Sequence, residues 1–239
     1  MAGGAGCGGA GWWTVKTLSQ FWALVRRDLM REARGKESFT SMFVFSALVL
    51  LIFNFAFESV ARVDANARAG ILWVALNFAG VLALSRAFAI ELEDDRLRGL
   101  LLAPLDRSVL FLAKVTSNLI FNLIGGLATT VLFVLFFNLD LSWQQAGFGL
   151  VVLLGMLGFV SVGTLFAALA ANTRARELML PILLFPIMIP LIIGEVKTTA
   201  VILRGGELGS VGGWLNLMAA YDILFLAAGA LVFEAAVEE

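Results

Sequence analysis

Asp222 is the side chain in this sequence best placed to do chemistry. It follows Tyr221, the one tyrosine of the chain, inside an apolar run from Trp214 to Val237. At about 1.5 Å of helix rise per residue it lies roughly 12 Å into that run. An ionisable group at such depth costs several kcal/mol by some estimates, which makes it a functional candidate by default. Arg86 and Glu91 form a second intramembrane polar pair, at the end of the apolar run Gly70–Ile90. Their spacing of five does not favour a direct pair on one helix, since neighbours on a helix face lie three or four residues apart. The plainer reading of these groups is a local cap or a snorkelling side chain. Asn77, Asn118 and Asn122 are milder, and interhelical hydrogen bonds account for them.

Much other chemistry is excluded. The chain has no histidine and one cysteine, Cys7. An internal disulfide, a zinc site of Cys and His ligands and a Ser-His-Asp triad are all out of reach. Net charge is −1, with 17 Lys+Arg against 18 Asp+Glu, which argues against nucleic acid as a partner. No G-x-x-x-x-G-K-[ST] occurs, so nothing here resembles a phosphate-cradling loop. The residues predict a chain with no catalytic site, no metal and no bound cofactor. Any uphill movement must draw on a partner or an ion gradient.

The elements that position these groups follow from composition. Hydrophobic residues make up 60% of the 239 and charged residues only 15%. A helix needs about 20 apolar residues to cross a bilayer core, and six stretches qualify: 39–57, 70–90, 109–137, 146–171, 178–194 and 214–237. They are solidly apolar rather than alternating, which excludes a β-barrel. The expected fold is therefore an all-α polytopic membrane protein, one six-span domain over 39–237. Residues 17–38 precede it as an amphipathic helix, and residues 1–16 as a disordered glycine-rich tail that lacks the basic and apolar regions of a signal peptide. Lys16, Arg26, Arg27, Arg31, Arg34 and Lys36 precede the first span. Arg96, Arg98 and Arg107 follow the second, with Arg86 and Lys114 at the edges, and Arg174 and Arg176 follow the fourth. Only Arg62, Arg68, Lys197 and Arg204 fall on the other side. The bias puts both termini in the cytoplasm.

The segments between spans carry their own signals. In Thr17–Arg34, Leu18, Phe21, Trp22, Val25 and Leu29 share one helical face and Arg27, Arg31 and Arg34 another, as in a helix lying in the membrane interface. In the loop 91–108, Glu93, Asp94 and Asp95 precede Arg96, while Leu97, Leu100 and Leu101 give a greasy side and Pro104 a stop. Acids early and bases later suit a short helix and its dipole, shaped to enter a cleft on a partner or else to lie on the membrane as a connector. Pro181, Pro186 and Pro190 each delete a hydrogen bond of span five and mark a candidate hinge, although membrane helices also tolerate proline. The stretch 195–213, with its apolar TAVIL at 199–203 and glycines from Gly205 on, reads as an outer loop that dips back into the membrane surface.

The block GILWVALNFAGVLALSRAFAIELEDDRLRGLLLAPLDRSVLFLAK, residues 70–114, resembles the central stretch of the CcmB family, haem exporter protein B. The likeness continues in LMLPILLFPIMIPLII (178–193), in WLNLMAAYDILFLAAGALVFE (214–234) and in the N-terminal LVRRDLMREARGKESF, covering about residues 18–236. The glycine-rich extension before Trp12 and Gly125–Gly126 in span three depart from the family's pattern. The resemblance implies the membrane permease subunit of the cytochrome c maturation ABC transporter in the bacterial inner membrane, with an ABC-2 or type V exporter-like fold. The Thr17–Arg34 segment falls where such exporters have an interfacial helix, and the loop between spans two and three where they have a coupling helix. It also implies partners: a cytoplasmic ATPase (CcmA) that holds the ATP, a haem-handling membrane subunit (CcmC), a small single-span subunit (CcmD) and a periplasmic haem chaperone (CcmE).

Two classes of function remain. In the first, the chain transmits ATP hydrolysis in the partner to haem export or to release of the haem-loaded chaperone, with the ATPase gripping the loop of residues 93–97, 100 and 101. In the second, it is a stand-alone secondary transporter, with Asp222 and Arg86 as an ion relay, or an ABC-2 type permease for another substrate. Haem iron is most often held by His, with Cys, Met or Tyr as alternatives. With no His, and with Cys7 in the tail and Met188, Met218 and Tyr221 remaining, the expectation is that haem is ligated by a partner.

Overall fold

The computed structural model describes residues 9–34, 36–57, 64–93, 107–139, 146–170 and 176–236. Among the described residues there are seven α-helices: α1 (Gly9–Arg34), α2 (Lys36–Ala56), α3 (Ala65–Glu93), α4 (Arg107–Phe136), α5 (Ala146–Ala170), α6 (Arg176–Leu203) and α7 (Gly212–Ala236). Helices α2 to α7 are long and apolar enough to cross a membrane, so the protein is a polytopic membrane protein. In such spans each backbone N–H and C=O is satisfied within its own helix, which is why unbroken apolar runs fold this way.

Two helices form the centre. Helix α3 packs against α2, α4, α5 and α6, and α5 packs against α3, α4, α6 and α7. Both are mostly buried within the bundle, whereas α2 and α7 give most of their surface to the surroundings. The core runs between them through Trp73, Leu76, Leu84, Met156, Phe159 and Leu184, all buried.

The bounds depart from the sequence expectation most in two places, apart from α2 starting at Lys36 inside the expected 17–38 helix and α3 starting at Ala65. Helix α1 begins at Gly9, so residues 9–16 continue the helix rather than the tail. The second difference matters more. Span five does not end at Gly194: α6 continues to Leu203, and residues 195–203 are a helix rather than a loop. The stop comes at Gly205, whose φ of +79° is the left-handed conformation that glycine adopts without strain. Its N–H bonds to the carbonyl of Ile202 and that of Gly206 to the carbonyl of Val201, a Schellman close that satisfies the last turn. A 3₁₀ turn at Leu208–Val211 then leads into α7. Helix α6 is also unbroken through Pro181, Pro186 and Pro190.

The amphipathic N-terminal segment docks on α4. Leu24 and Val25 are buried and Phe21 and Leu29 pack against the core, but Leu18 and Trp22 point away, 60% and 56% exposed. The expected apolar face is thus split between the bundle and the outside. Lys114 of α4 anchors the helix: its Nζ lies 3.4 Å from Asp28 Oδ2, and Asp28 also takes 2.9 Å from Arg27. The lysine side chain is 4% exposed and the aspartate 13%.

Candidate functional site: a carboxylate junction between four helices

Helices α3, α5, α6 and α7 meet around two acids. On α6, Glu195, Thr198 and Thr199 follow the three-and-four spacing of one helix face and are fully buried. On α7, Asp222 is 2% exposed. On α3, Trp73 and Asn77, four apart, reach the same place. Asn77 Nδ2 donates to Glu195 Oε2 at 3.1 Å, and Trp73 Nε1 donates to Thr199 Oγ1 at 2.9 Å. These two bonds tie α3 to α6.

Helix α5 contributes absence of side chain. A Cβ on Gly155 would stand 2.8 Å from Glu195 Oε1 and 2.5 Å from the Trp73 ring. One turn on, a Cβ on Gly158 would stand 2.6 Å from Asp222 Oδ1. Both carboxylates therefore lie against one face of α5, about 4.5 Å apart along its axis by helix rise. Small residues at such positions let helices approach closely in membranes. Glu195 Oε1, both Asp222 oxygens and Thr198 Oγ1 have no hydrogen-bond partner among the described residues. Leaving an ionised carboxylate so placed costs several kcal/mol.

The other predicted residues fall elsewhere. Tyr221 O–H donates to the carbonyl of Ile187 at 3.2 Å, which ties α7 to the proline-bearing half of α6 next to Pro186. Arg86 pairs with Glu37 at the start of α2, in an exposed position. It does not join Asp222, which faces Gly158 and Leu191. Glu91 and Glu93 are in α3, and their side chains lie outside the described residues, as do Asp94, Asp95, Arg96, Leu97, Leu100 and Leu101. Among the described residues no cluster of three or more His, Cys, Asp or Glu is suited to a metal ion. Asn118 donates to Thr164 Oγ1 at 3.2 Å, an interhelical bond as expected, whereas Asn122 donates within its own helix, to the carbonyl of Asn118 at 2.9 Å.

Glu195 was legible only in part. The apolar run breaks at Gly194, and EVKTT reads as a loop; the signal that finds the site is the Glu195–Thr198–Thr199 spacing followed at once by apolar TAVIL.

At the C-terminal end of α6 lies an exposed clasp. Asp64 caps α3 by accepting from the Asn66 backbone N–H at 3.1 Å and from its side-chain amide at 2.7 Å, and Arg204 adds a pair at 3.0 Å. The Asn66 side-chain bond first, then its backbone N–H and Arg204, hold the Asp64 carboxyl below its ordinary range.

Comparison with known proteins gives a consistent result. The family model described as CcmB protein matches residues 19–239. The chain is 28% identical to Heme exporter protein B of Rhodobacter capsulatus over 77% of this chain and 83% of that protein. It is 28% identical to the Bradyrhizobium diazoefficiens protein of the same name over 87% of this chain and 92% of that one. Against the Escherichia coli K12 protein identity is 31%, over 41% of this chain and 44% of the relative.

Proposed function

This chain belongs to the CcmB family, and from that premise we propose that it is the membrane permease subunit of a haem-export ABC transporter, coupling ATP hydrolysis in a partner ATPase to haem export or release of a haem-loaded chaperone. The observation that carries the reading is the family match across all six spans, together with relatives named for haem export over most of their length. The chain supplies no ATP-binding motif, so the motor is a separate subunit of the CcmA kind. CcmC, CcmD and the chaperone CcmE are the further partners in this reading. Location is the bacterial inner membrane with both termini in the cytoplasm, supported by the Lys/Arg bias of the loops.

Contact with the ATPase falls to the segment between α3 and α4. Glu93, Asp94, Asp95 and Arg96 would set the charge match and Leu97, Leu100 and Leu101 the apolar grip. Movement there would reach α6 through α3, because Asn77 and Trp73 bond directly to Glu195 and Thr199. The proline-bearing stretch at 181, 186 and 190 would be the flexible part of that path. Haem, in this reading, is ligated by a partner, since the chain has no histidine.

The test is reversal of Asp94, Asp95 and Arg96 together. Co-purification of the ATPase subunit should fall. Unchanged co-purification and unchanged ATPase stimulation would overturn the loop's role.

The stand-alone relay built on Asp222 and Arg86 gains no support, because Arg86 is engaged with Glu37 and Asp222 lies against α5 and α6.

A further inference from the structure

Two carboxyls closed inside a bundle of apolar helices pose a question of charge. Glu195 is fully buried and accepts one hydrogen bond, from a neutral amide. Asp222 is buried with neither oxygen bonded among the described residues. The charged groups on each neighbouring helix are remote or turned elsewhere. Helix α5 carries no ionisable residue at all. On α3 the nearest are Arg68 and Arg86, each nine residues from Asn77, or roughly 13 Å along the axis. Arg86 is held by Glu37. On α6, Lys197 stands two residues from Glu195, and so on another helix face. On α7 the neighbour is Tyr221, whose hydroxyl is used on Ile187. Neither acid has an ion-pair partner among the described residues.

A carboxylate that cannot be paired is taken up as the neutral acid, because several kcal/mol of desolvation fall only on the charged form. A neutral acid also brings one O–H donor per group to a site otherwise rich in unmatched acceptors.

We propose that the junction of α3, α5, α6 and α7 is an intramembrane proton-binding site, in which Glu195 and Asp222 are held as carboxylic acids against Gly155 and Gly158. The exchange is reversible and involves no other co-reactant: each carboxylate takes one proton from water to form its O–H and returns it when the helices part. The site lies about 12 Å from the C-terminal end of α6, counted from Glu195 to Leu203, so that end is the shorter route for the proton. The inference goes beyond the coupling role proposed above and does not depend on it.

The experiment is infrared difference spectroscopy on the purified full chain in lipid nanodiscs, wild type against the Glu195→Gln, Asp222→Asn double variant. The expected result is a protonated-carboxyl C=O band at neutral pH that is lost in the double variant. The melting temperature should stay at or above that of the wild type, because each amide copies a neutral acid. Dicyclohexylcarbodiimide, which reacts with protonated carboxyls in apolar surroundings, should label Glu195 or Asp222 in the same preparation. Absence of the band at neutral pH would overturn the proposal. So would loss of the band on replacing choline chloride by sodium chloride at constant pH, which would make the ligand a metal cation. If the double variant does not fold, the single variants Glu195→Gln and Asp222→Asn each carry the same test, each losing its own part of the band.

Discussion

Asn77 donates to Glu195 across 3.1 Å, and this bond joins α3, the helix that leads into the predicted coupling loop, to α6, the helix that carries the prolines. With the Trp73–Thr199 bond one turn away it forms a two-point attachment in the middle of the bundle. Such bonds are usually worth little net, but a buried partner left unmatched is expensive. Asn77→Ala should therefore lower stability by about 1–3 kcal/mol, and Trp73→Phe, which keeps a ring, by about 1 kcal/mol. Thermal unfolding in detergent checks both. Losses of equal size would argue against the special position of Glu195.

Gly155→Ala and Gly158→Ala push a methyl group toward a carboxylate oxygen from 2.8 and 2.6 Å. Each should cost about 1–3 kcal/mol, as overpacking in a filled core does. Gly149→Ala on the same helix is the control. Its Cβ meets nothing within 4 Å, and it should be neutral or slightly stabilising because alanine favours helix. The three melting temperatures, measured side by side, settle the matter.

Lys114→Met should loosen α1. The lysine is a buried anchor for Asp28, and the variant removes that ion pair while leaving the one with Arg27. Limited proteolysis should cut within α1 faster than in the wild type, while sites in α7 stay as they were. Adding Asp28→Met should slow the cleavage again, since the two apolar side chains can pack where the ions met.

Acid should weaken the clasp between Asp64, Asn66 and Arg204. The Asp64 carboxyl is held below its ordinary range by Asn66 and Arg204, so it favours the folded state when ionised. The contribution is present above the carboxyl's unfolded value and is lost as pH falls through the lower folded value. Because the group is exposed, added salt should weaken the Arg204 part. Hydrogen exchange at the first turn of α3, corrected for intrinsic rates, should accelerate in acid for the wild type. Asp64→Ala should already be fast at neutral pH and show no such step.

The sequence carried the span count and singled out Asp222, because both rest on simple properties. About twenty apolar residues must cross a bilayer, and an acid well inside such a run is conspicuous. Glu195 was hidden by its neighbours. Gly194 before it and Lys197 and two threonines after it lower the local hydropathy, so the sequence places the end of the span at Gly194, nine residues before the helix ends at Leu203. What holds this stretch against the bundle is tertiary: Thr199 and one oxygen of Glu195 are bonded by Trp73 and Asn77, from a segment more than a hundred residues earlier. Spacing on one helix cannot report a donor on another. Arg86 misled for the converse reason, since Glu37, its partner, belongs to the segment read as a separate interfacial helix.

Gly155 and Gly158 fix how much room the acids have, and that bears on how such chains can change over time. A larger residue at 155 is compatible only with a shorter or displaced group at 195, and likewise for 158 and 222. Among related chains these positions should therefore drift as linked pairs, small against long, and a chain that acquires bulk on α5 should be found to have surrendered the acid opposite it.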